Sequence, residues 1–563
     1  MAQETYDAIV VGSGVSGGWA AKELTERGLK VLMLDRGRMV RHGEDYVTEH
    51  KAPYEFKFRG LGDKRNSQSD YPNNALANRE DTKHFFADTK LHPYTTPKDR
   101  PFAWTRGNQV GGKSLMWSRQ TYRMAPVNFE ENAIDGHGLD WPIRYADIES
   151  WYDYVEKFIG ISGTAIDYPT APGGKYLQPG FPLNPIEKDM QARMAKAFPD
   201  RPLTVARMAN LTQAIGDDRQ PCHYCGPCGR GCSTGSYFST QSSTLPAAMA
   251  TQRLTVLPDS IVTRILTSES GERATGVEVM DANTREKRSY NARIVFVCAS
   301  ALESLRLLML SANDRHPNGL GNSSGLLGKY IMDHVGAGGA MATTKGPQTP
   351  HIWGGRPGVM WIPRFRNING DKRPDYLRGY QCNGIAFNDD WQRGARMPGI
   401  GVDFKNTLRQ TGGWHVILTG SGEMLPDIGN KVSLDPDVRD AWGIPVLHID
   451  VGLGDNDMAM AKGGSEDLAE MLKNMGYEGV FKFPVGKGVP GTSIHEMGGA
   501  PMGHDKRKSV LDVNNRAHDI PNLFVTDGAA MNSCSQSNPS FTYMAMTARA
   551  AAFAAAEFKA GRL

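Results

Sequence analysis

The start of the chain alternates apolar runs with a polar-faced stretch in the order strand, helix, strand. Tyr6-Asp7-Ala8-Ile9-Val10-Val11 is a short apolar run that suits a buried strand, Gly18 to Arg27 is paced as a helix, and Lys30 to Leu34 is a second apolar run ending in Asp35. Further on, runs such as Trp414 to Thr419 read as antiparallel strands, and the Pro- and Gly-rich stretch 160–185 reads as a surface connection. The Ala-rich end, Ala545 to Phe558, is interrupted by Arg549 and Glu557 and predicts a closing helix. No run of 18 or more apolar residues exists, so no membrane span is expected.

At 563 residues, with 40% apolar and 22% charged positions, the chain has the length of several domains and the composition of a globular protein. A formal net charge of +3, with Lys and Arg scattered among Asp and Glu, offers no basic stripe for nucleic acid. The strand at Tyr6 begins almost at Met1, so this chain is expected to carry no secretory signal of its own.

Between the first strand and the helix stands Gly12-Ser13-Gly14-Val15-Ser16-Gly17, a G-x-G-x-x-G run in the setting that binds dinucleotides. Gly12 permits the tight turn, Gly14 lets the backbone approach a pyrophosphate, and Gly17 permits close packing of helix on strand. Asp35 lies near the ~20-residue interval of the carboxylate that hydrogen-bonds a ribose. The motif alone does not separate FAD from NAD.

Four of seven cysteines fall in C-H-Y-C-G-P-C-G-R-G-C, where Cys222, Cys225, Cys228 and Cys232 have the C-x2-C-x2-C-x3-C spacing of an iron–sulfur loop. Gly226, Gly229 and Gly231 supply the freedom to fold around a cluster. Four ligands would give [4Fe-4S], three would give [3Fe-4S]. The alternatives are a structural zinc site, which usually draws its cysteines as well-separated pairs, and disulfides, which would be strained in so short a loop. Cys298, Cys382 and Cys534 read as small buried hydrophobes.

Several further segments, in order, resemble the glucose-methanol-choline (GMC) oxidoreductases, an FAD-dependent family. Arg106 to Ser118 is similar to the family's glycine-rich flavin loop, Ile294 to Leu310 to its second signature, and Leu327 to His334 to the segment that follows. His495-Glu496-Met497-Gly498-Gly499-Ala500-Pro501-Met502-Gly503 and Asn538-Pro539-Ser540-Phe541-Thr542 resemble its two C-terminal catalytic elements, and Asn522 to Gly528 resembles the strand and acid beside the flavin diphosphate. The resemblance implies an α/β fold, with a Rossmann-like FAD-binding domain and an antiparallel-sheet (α+β) substrate domain. It implies FAD contacts from Gly12, Gly14, Ser16, Gly17, Asp35, Arg36, Gly111, Gly112, Ser114, Ser118, Val262, Ala299, Asp527, Gly528 and Ser540. Met116 stands where covalent members have histidine, so the FAD is expected to be non-covalent. The usual Ala-Gly of the second signature reads Ala299-Ser300 here.

Oxidising a secondary alcohol needs a base for the hydroxyl proton, a hydride acceptor and a group that orients the substrate. The resemblance implies that His495 is the base, Asn538 holds the same hydroxyl, and flavin N5 takes the hydride. A cluster beside FAD is superfluous in an enzyme that reduces oxygen directly. The expectation is therefore a sugar or glycoside dehydrogenase resembling the glucoside 3-dehydrogenases, oxidising C3 and passing electrons singly to a cytochrome c-type acceptor. Relatives of that design pair with a small subunit bearing a twin-arginine signal, which implies co-export to the periplasm, with the cytoplasm as the alternative. Competing expectations are a glucose C1 or other sugar or polyol dehydrogenase, a pyranose oxidase, and an electron-transfer flavoprotein without a substrate.

The motifs are dispersed, so segments 1–50, 100–160, 222–335 and 495–563 are expected to assemble one FAD domain carrying the cysteine loop at 222–232. Residues 336–494, with Trp353, Trp361, Trp391 and Trp414, should form an antiparallel sheet roofing the flavin, and 51–99 and 161–221 should connect and cover.

Overall fold

Thr5–Val11 pairs in parallel with Val31–Leu34 on one side and with Lys287–Val297 on the other, and Leu254–Leu257 extends the sheet beyond Val31–Leu34. This computed structural model describes residues 5–57, 79–347, 355–389, 391–486 and 488–563. Val11, Leu34 and Val297 end the central strands side by side, and it is beyond such carboxyl ends that doubly wound sheets open a ligand crevice. Lys287–Val297 is long enough to serve two partners on its outer edge. Its first half pairs antiparallel with Ala274–Asp281, and its last residues pair in parallel with Leu523–Val525. The second pairing brings Asp527 from near the end of the chain to the edge where Gly12 turns.

Helix Val15–Glu26 packs against both this sheet and the closing helix Ser540–Lys559. A Cβ on Gly17 would fall 1.9 Å from the Gly12 carbonyl oxygen, so the helix can begin this close to the turn only with glycine there. Fully buried alanines of the closing helix, among them Ala548, Ala550, Ala551 and Ala554, let it lie close to its neighbours. It begins ahead of the alanine run, at Ser540 directly after Pro539. Among the described residues no helix is long and apolar enough to cross a membrane.

A second, wholly antiparallel sheet has the order Phe481–Lys482, His334–Thr344, Trp414–Glu423, Tyr380–Asn388, Met360–Ile362, Thr204–Val205. Helix Asp455–Asn474 packs on two of these strands, at Gly464 so closely that a Cβ would lie 2.4 Å from the Ala337 carbonyl oxygen. Trp361 and Trp414 are buried in this layer, Trp391 opens a 3₁₀ turn (Trp391–Arg396) outside it, and Trp353 lies outside the described residues. Two boundaries differ from the expected division. His334–Thr344 runs unbroken across position 335/336, and Thr204–Val205, from a stretch expected only to connect, pairs as the edge strand.

A third sheet, in the order Pro445–Asp450, Lys431–Arg439, Lys329–Met332, Met497–Gly499, ties the layers together. Its register sets Met332 opposite Met497, which carries His334 alongside His495.

Candidate active site

A deep cavity opens at the carboxyl ends of the parallel strands. Its wall includes Gly12, Gly14, Ser16, Asp35, Arg36, Gly112, Ser114, Val262, Ala299, Asp527, Gly528, Ser540 and His495. Gly12 has φ +93° and a Cβ there would lie 2.4 Å from the Cys298 carbonyl oxygen, whereas a Cβ on Gly14 would meet nothing within 4 Å. Backbone is therefore laid bare to the cavity where the helix begins, as a diphosphate requires. Asp35 accepts from the Ser13 amide at 3.1 Å and the Gly37 amide at 2.9 Å. Burial, against these hydrogen bonds, raises its pKa to about 6. The Ser13 hydroxyl also donates to Asp35 and accepts from the Gly111 amide at 2.7 Å, tying the two glycine turns together.

Among the described residues Ser16 Oγ, Asn108 Oδ1 and Glu496 Oε1 are buried without a protein partner on this wall. Unpaired polar atoms around a groove of bare backbone fit a polar dinucleotide such as FAD. Gly17 and Gly111 stand behind the wall, packed on Gly12 and Gln241. Ser118 is exposed, and Trp117 forms the wall in its place, its Nε1 donating to the Phe238 carbonyl at 2.9 Å. Met116 packs on a small core of Val40, Tyr46, Phe85 and Leu115 and has no imidazole nitrogen to form a histidyl flavin bond. Acid precipitation is accordingly expected to leave the yellow chromophore in the supernatant; flavin that stayed with the polypeptide would contradict this.

Asp333 and His334 organise His495. The Asp333 carboxylate accepts from the backbone amides of Gly491 (2.7 Å), Ser493 (3.2 Å) and His495 (3.2 Å). This clamp holds Ile494 at φ +62°, a costly conformation for a β-branched residue, immediately before the catalytic candidate. Burial, then the neighbouring Glu496, raises the Asp333 pKa to about 6. His334 Nε2 lies 2.9 Å from the Ser535 carbonyl oxygen and its Nδ1 lies 2.8 Å from His495 Nδ1. A carbonyl can only accept, so His334 carries its proton on Nε2; its Nδ1 then accepts from His495 Nδ1–H. Nε2 of His495 is left as the basic nitrogen.

Burial lowers the His334 pKa to about 4, and burial, His334 and Lys113 hold His495 well below its ordinary value, so both rings are neutral at neutral pH. Lys113 is itself held by Glu496, Nζ to Oε2 2.7 Å. Asn538 is half-buried in the turn before the closing helix, three positions beyond the Ser535 carbonyl that holds His334. Sequence reasoning reached His495 and Asn538 but gave no role to Asp333, His334, Lys113 or Glu496. The signal was present as Asp333-His334 inside a segment already singled out, but the partnership is made only by strand register.

Cys222, Cys225, Cys228 and Cys232 are all free thiols. Gly226 and Gly231 have φ +93° and +112°, and a Cβ on Gly231 would lie 2.4 Å from the Tyr46 ring. Burial first, then the other three sulfurs, pushes the Cys225 thiol up to about 11. Among the described residues the sulfurs do not converge as ligands of a single ion do; the group that does is Asp333, His334 and His495, whose ligand atoms lie within 4.8 Å and are accounted for by the histidine hydrogen bond. The loop abuts the flavin-side wall. Arg119, two positions after Trp117, donates from Nη1 to the Cys228 carbonyl at 3.1 Å and stacks on Tyr237 at 4.9 Å.

The N-terminal profile of the GMC oxidoreductases matches residues 6–336 and the C-terminal profile residues 426–547. The chain belongs to the GMC oxidoreductase family. It is an FAD-dependent oxidoreductase acting on CH–OH donors. This GMC oxidoreductase is 26% identical to the fructose dehydrogenase large subunit of Gluconobacter japonicus, over 98% of each chain. It is 27% identical to the 2-methyl-1,2-propanediol dehydrogenase of Mycolicibacterium austroafricanum, over 98% of this chain and 95% of that one. To a C-glycoside 3-oxidase of Arthrobacter globiformis it is 25% identical over 52% of this chain and 51% of that one. A solved formate oxidase shares the fold, with a TM-score of 0.63 at 15% identity over all of both chains.

Proposed function

We propose that this GMC oxidoreductase is a dehydrogenase that oxidises a secondary hydroxyl of a sugar or glycoside, C3 favoured, and passes electrons singly through an iron–sulfur cluster to a cytochrome c-type acceptor. The observation that carries the reading is the His334–His495 bond, which leaves His495 Nε2 basic on the wall of the cofactor cavity. Bound FAD supplies the acceptor for the hydride that leaves the carbinol carbon. His495 takes the hydroxyl proton at Nε2, Asn538 holds the same oxygen, and the Asp333 clamp keeps the base in place.

The sugar assignment is supported by the similarity to a fructose dehydrogenase along the whole chain and to a C-glycoside 3-oxidase along half of it. The similarity to a diol dehydrogenase favours a second reading, a non-sugar polyol. For the cluster, the support is the cysteine spacing and the place of the loop behind the flavin wall. A polynuclear cluster takes its thiolates on different irons, so its ligands stand farther apart than those of one zinc ion. The cluster would be held by Cys222, Cys225, Cys228 and Cys232, as [4Fe-4S] in preference to [3Fe-4S]. A small twin-arginine partner and a periplasmic location follow from the family resemblance, and a relative described as a large subunit is consistent with a partner chain.

An anaerobic titration with glucose, methyl glucosides and 1,2-diols, with products identified by NMR, tests this reading. Flavin bleaching and a 3-keto product from methyl glucoside are expected. A lactone from glucose, with methyl glucoside inert, would place oxidation at C1. Bleaching by diols alone, or peroxide as the main reduced product in air, would overturn the sugar dehydrogenase.

A further inference from the structure

We infer that Gln381, anchored by Trp361, sets which end of the Asn538 amide faces the substrate, making Asn538 a hydrogen-bond donor to the reacting hydroxyl oxygen. The inference rests on the reading of Asn538 as the hydroxyl-holding residue. The starting point is Trp361, whose indole N–H can only donate. It donates to Gln381 Oε1 at 3.0 Å. The carbonyl end of Gln381 is thereby committed, and its NH₂ end donates to Asn538 Oδ1 at 3.2 Å. With Oδ1 turned toward Gln381, the end of the Asn538 amide that faces away from it is the NH₂. An amide is nearly symmetric in shape, so packing alone would not choose between its ends; the chain of donors does.

The anchor is rigid. Trp361 and Gln381 are each 2% exposed, and the indole is stacked on Tyr122 with ring centroids 4.4 Å apart and planes inclined by 23°. Trp361 pairs with Asn383 across Met360–Ile362 and Tyr380–Asn388, so Gln381, two positions away, is its diagonal neighbour on the same face of the sheet. The roofing sheet thus reaches into the chemistry through one side chain.

The histidine side has the complementary logic. The Ser535 carbonyl can only accept, and through His334 it leaves His495 as an acceptor. The indole of Trp361 can only donate, and through Gln381 it leaves Asn538 as a donor. A hydroxyl has one proton to give and lone pairs to receive, so the two chains together present what it can use. A donor on the oxygen gains strength as negative charge builds there with departure of the proton. The reversed amide would set Oδ1 against that growing charge.

Stopped-flow reduction of the holoenzyme by the sugar that bleaches wild type most rapidly tests this, with FAD content and near-UV circular dichroism confirming each variant's integrity. Asn538→Ala is expected to slow flavin reduction by roughly 10²-fold, the loss typical of one donor at a developing oxyanion. Gln381→Leu, which frees the amide to turn, should cost about tenfold, and Gln381→Glu, which commits Asn538 NH₂ to a carboxylate, should approach Asn538→Ala. Because Gln381 acts through Asn538, the double variant Gln381→Leu/Asn538→Ala should be no slower than Asn538→Ala alone. Gln381→Glu should also recover as the pH falls, since a protonated carboxyl donates again, a sign opposite to the wild-type response. If Asn538→Ala were as fast as wild type, the reading of the hydroxyl site itself would fall. If Asn538→Ala were slow but the Gln381 variants fast, or their losses multiplied in the double variant, the polarity chain would be wrong.

Discussion

His495→Ala is expected to reduce its flavin with sugar about 10²- to 10⁴-fold more slowly than wild type while retaining FAD. The range is that of a positioned general base. Its backbone is held by Asp333 and its Nδ1 by His334, both independent of the imidazole's free nitrogen. The pH dependence follows from the low pKa. Burial, His334 and Lys113 all disfavour the charged ring, so Nε2 stays basic through neutrality and is lost only on acidification well below 6.5, the ordinary histidine value. The rate should be flat across neutral pH and fall only in acid. Removing the Lys113 cation raises the His495 pKa, so Lys113→Met should move the acid limb to higher pH. A His495→Ala enzyme bleaching at the wild-type rate, or an acid limb shifted downward in Lys113→Met, would remove His495 from the base role.

Cys228→Ser is expected to lose cytochrome c reduction to background while sugar still bleaches the flavin at the wild-type rate. Cys228 is the cysteine whose carbonyl Arg119 holds, and Arg119 follows Trp117 and Ser118 out of the cavity wall. A cluster ligated here is a short step from the flavin loop, so its loss interrupts delivery without touching the hydroxyl chemistry. Iron and acid-labile sulfide in the anaerobically purified protein should both fall in the variant. Zinc in place of iron in wild type, or undiminished cytochrome reduction in Cys228→Ser, would rule out the relay.

Much of the cofactor site was legible because its requirements are local. A turn that must expose backbone needs Gly12 and Gly14 within a few residues of each other, and a strand–helix–strand run announces itself by periodicity. The spacing of the cysteine loop is also a property of one short segment, but among the described residues its sulfurs do not converge. Ser118 shows the limit of position-by-position transfer. A one-residue step around a loop reverses the direction of a side chain, and it is Trp117 that reaches the cavity.

The sequence by itself determined the family, the dinucleotide turn, the acid at Asp35, the cysteine loop, and His495 and Asn538 as the pair to watch. Tertiary structure alone decided how that pair can act. The proton on His334 is set by the carbonyl of Ser535, and the Asn538 amide is oriented by Trp361 through Gln381. The first depends on the register that sets Met332 opposite Met497, segments far apart in the chain; the second depends on Trp361 opposite Asn383 in neighbouring strands and on the long-range contact of Gln381 with Asn538. Hydrogen-bond polarity is a property of contacts, and a residue's identity supplies only the donors and acceptors among which the fold must choose.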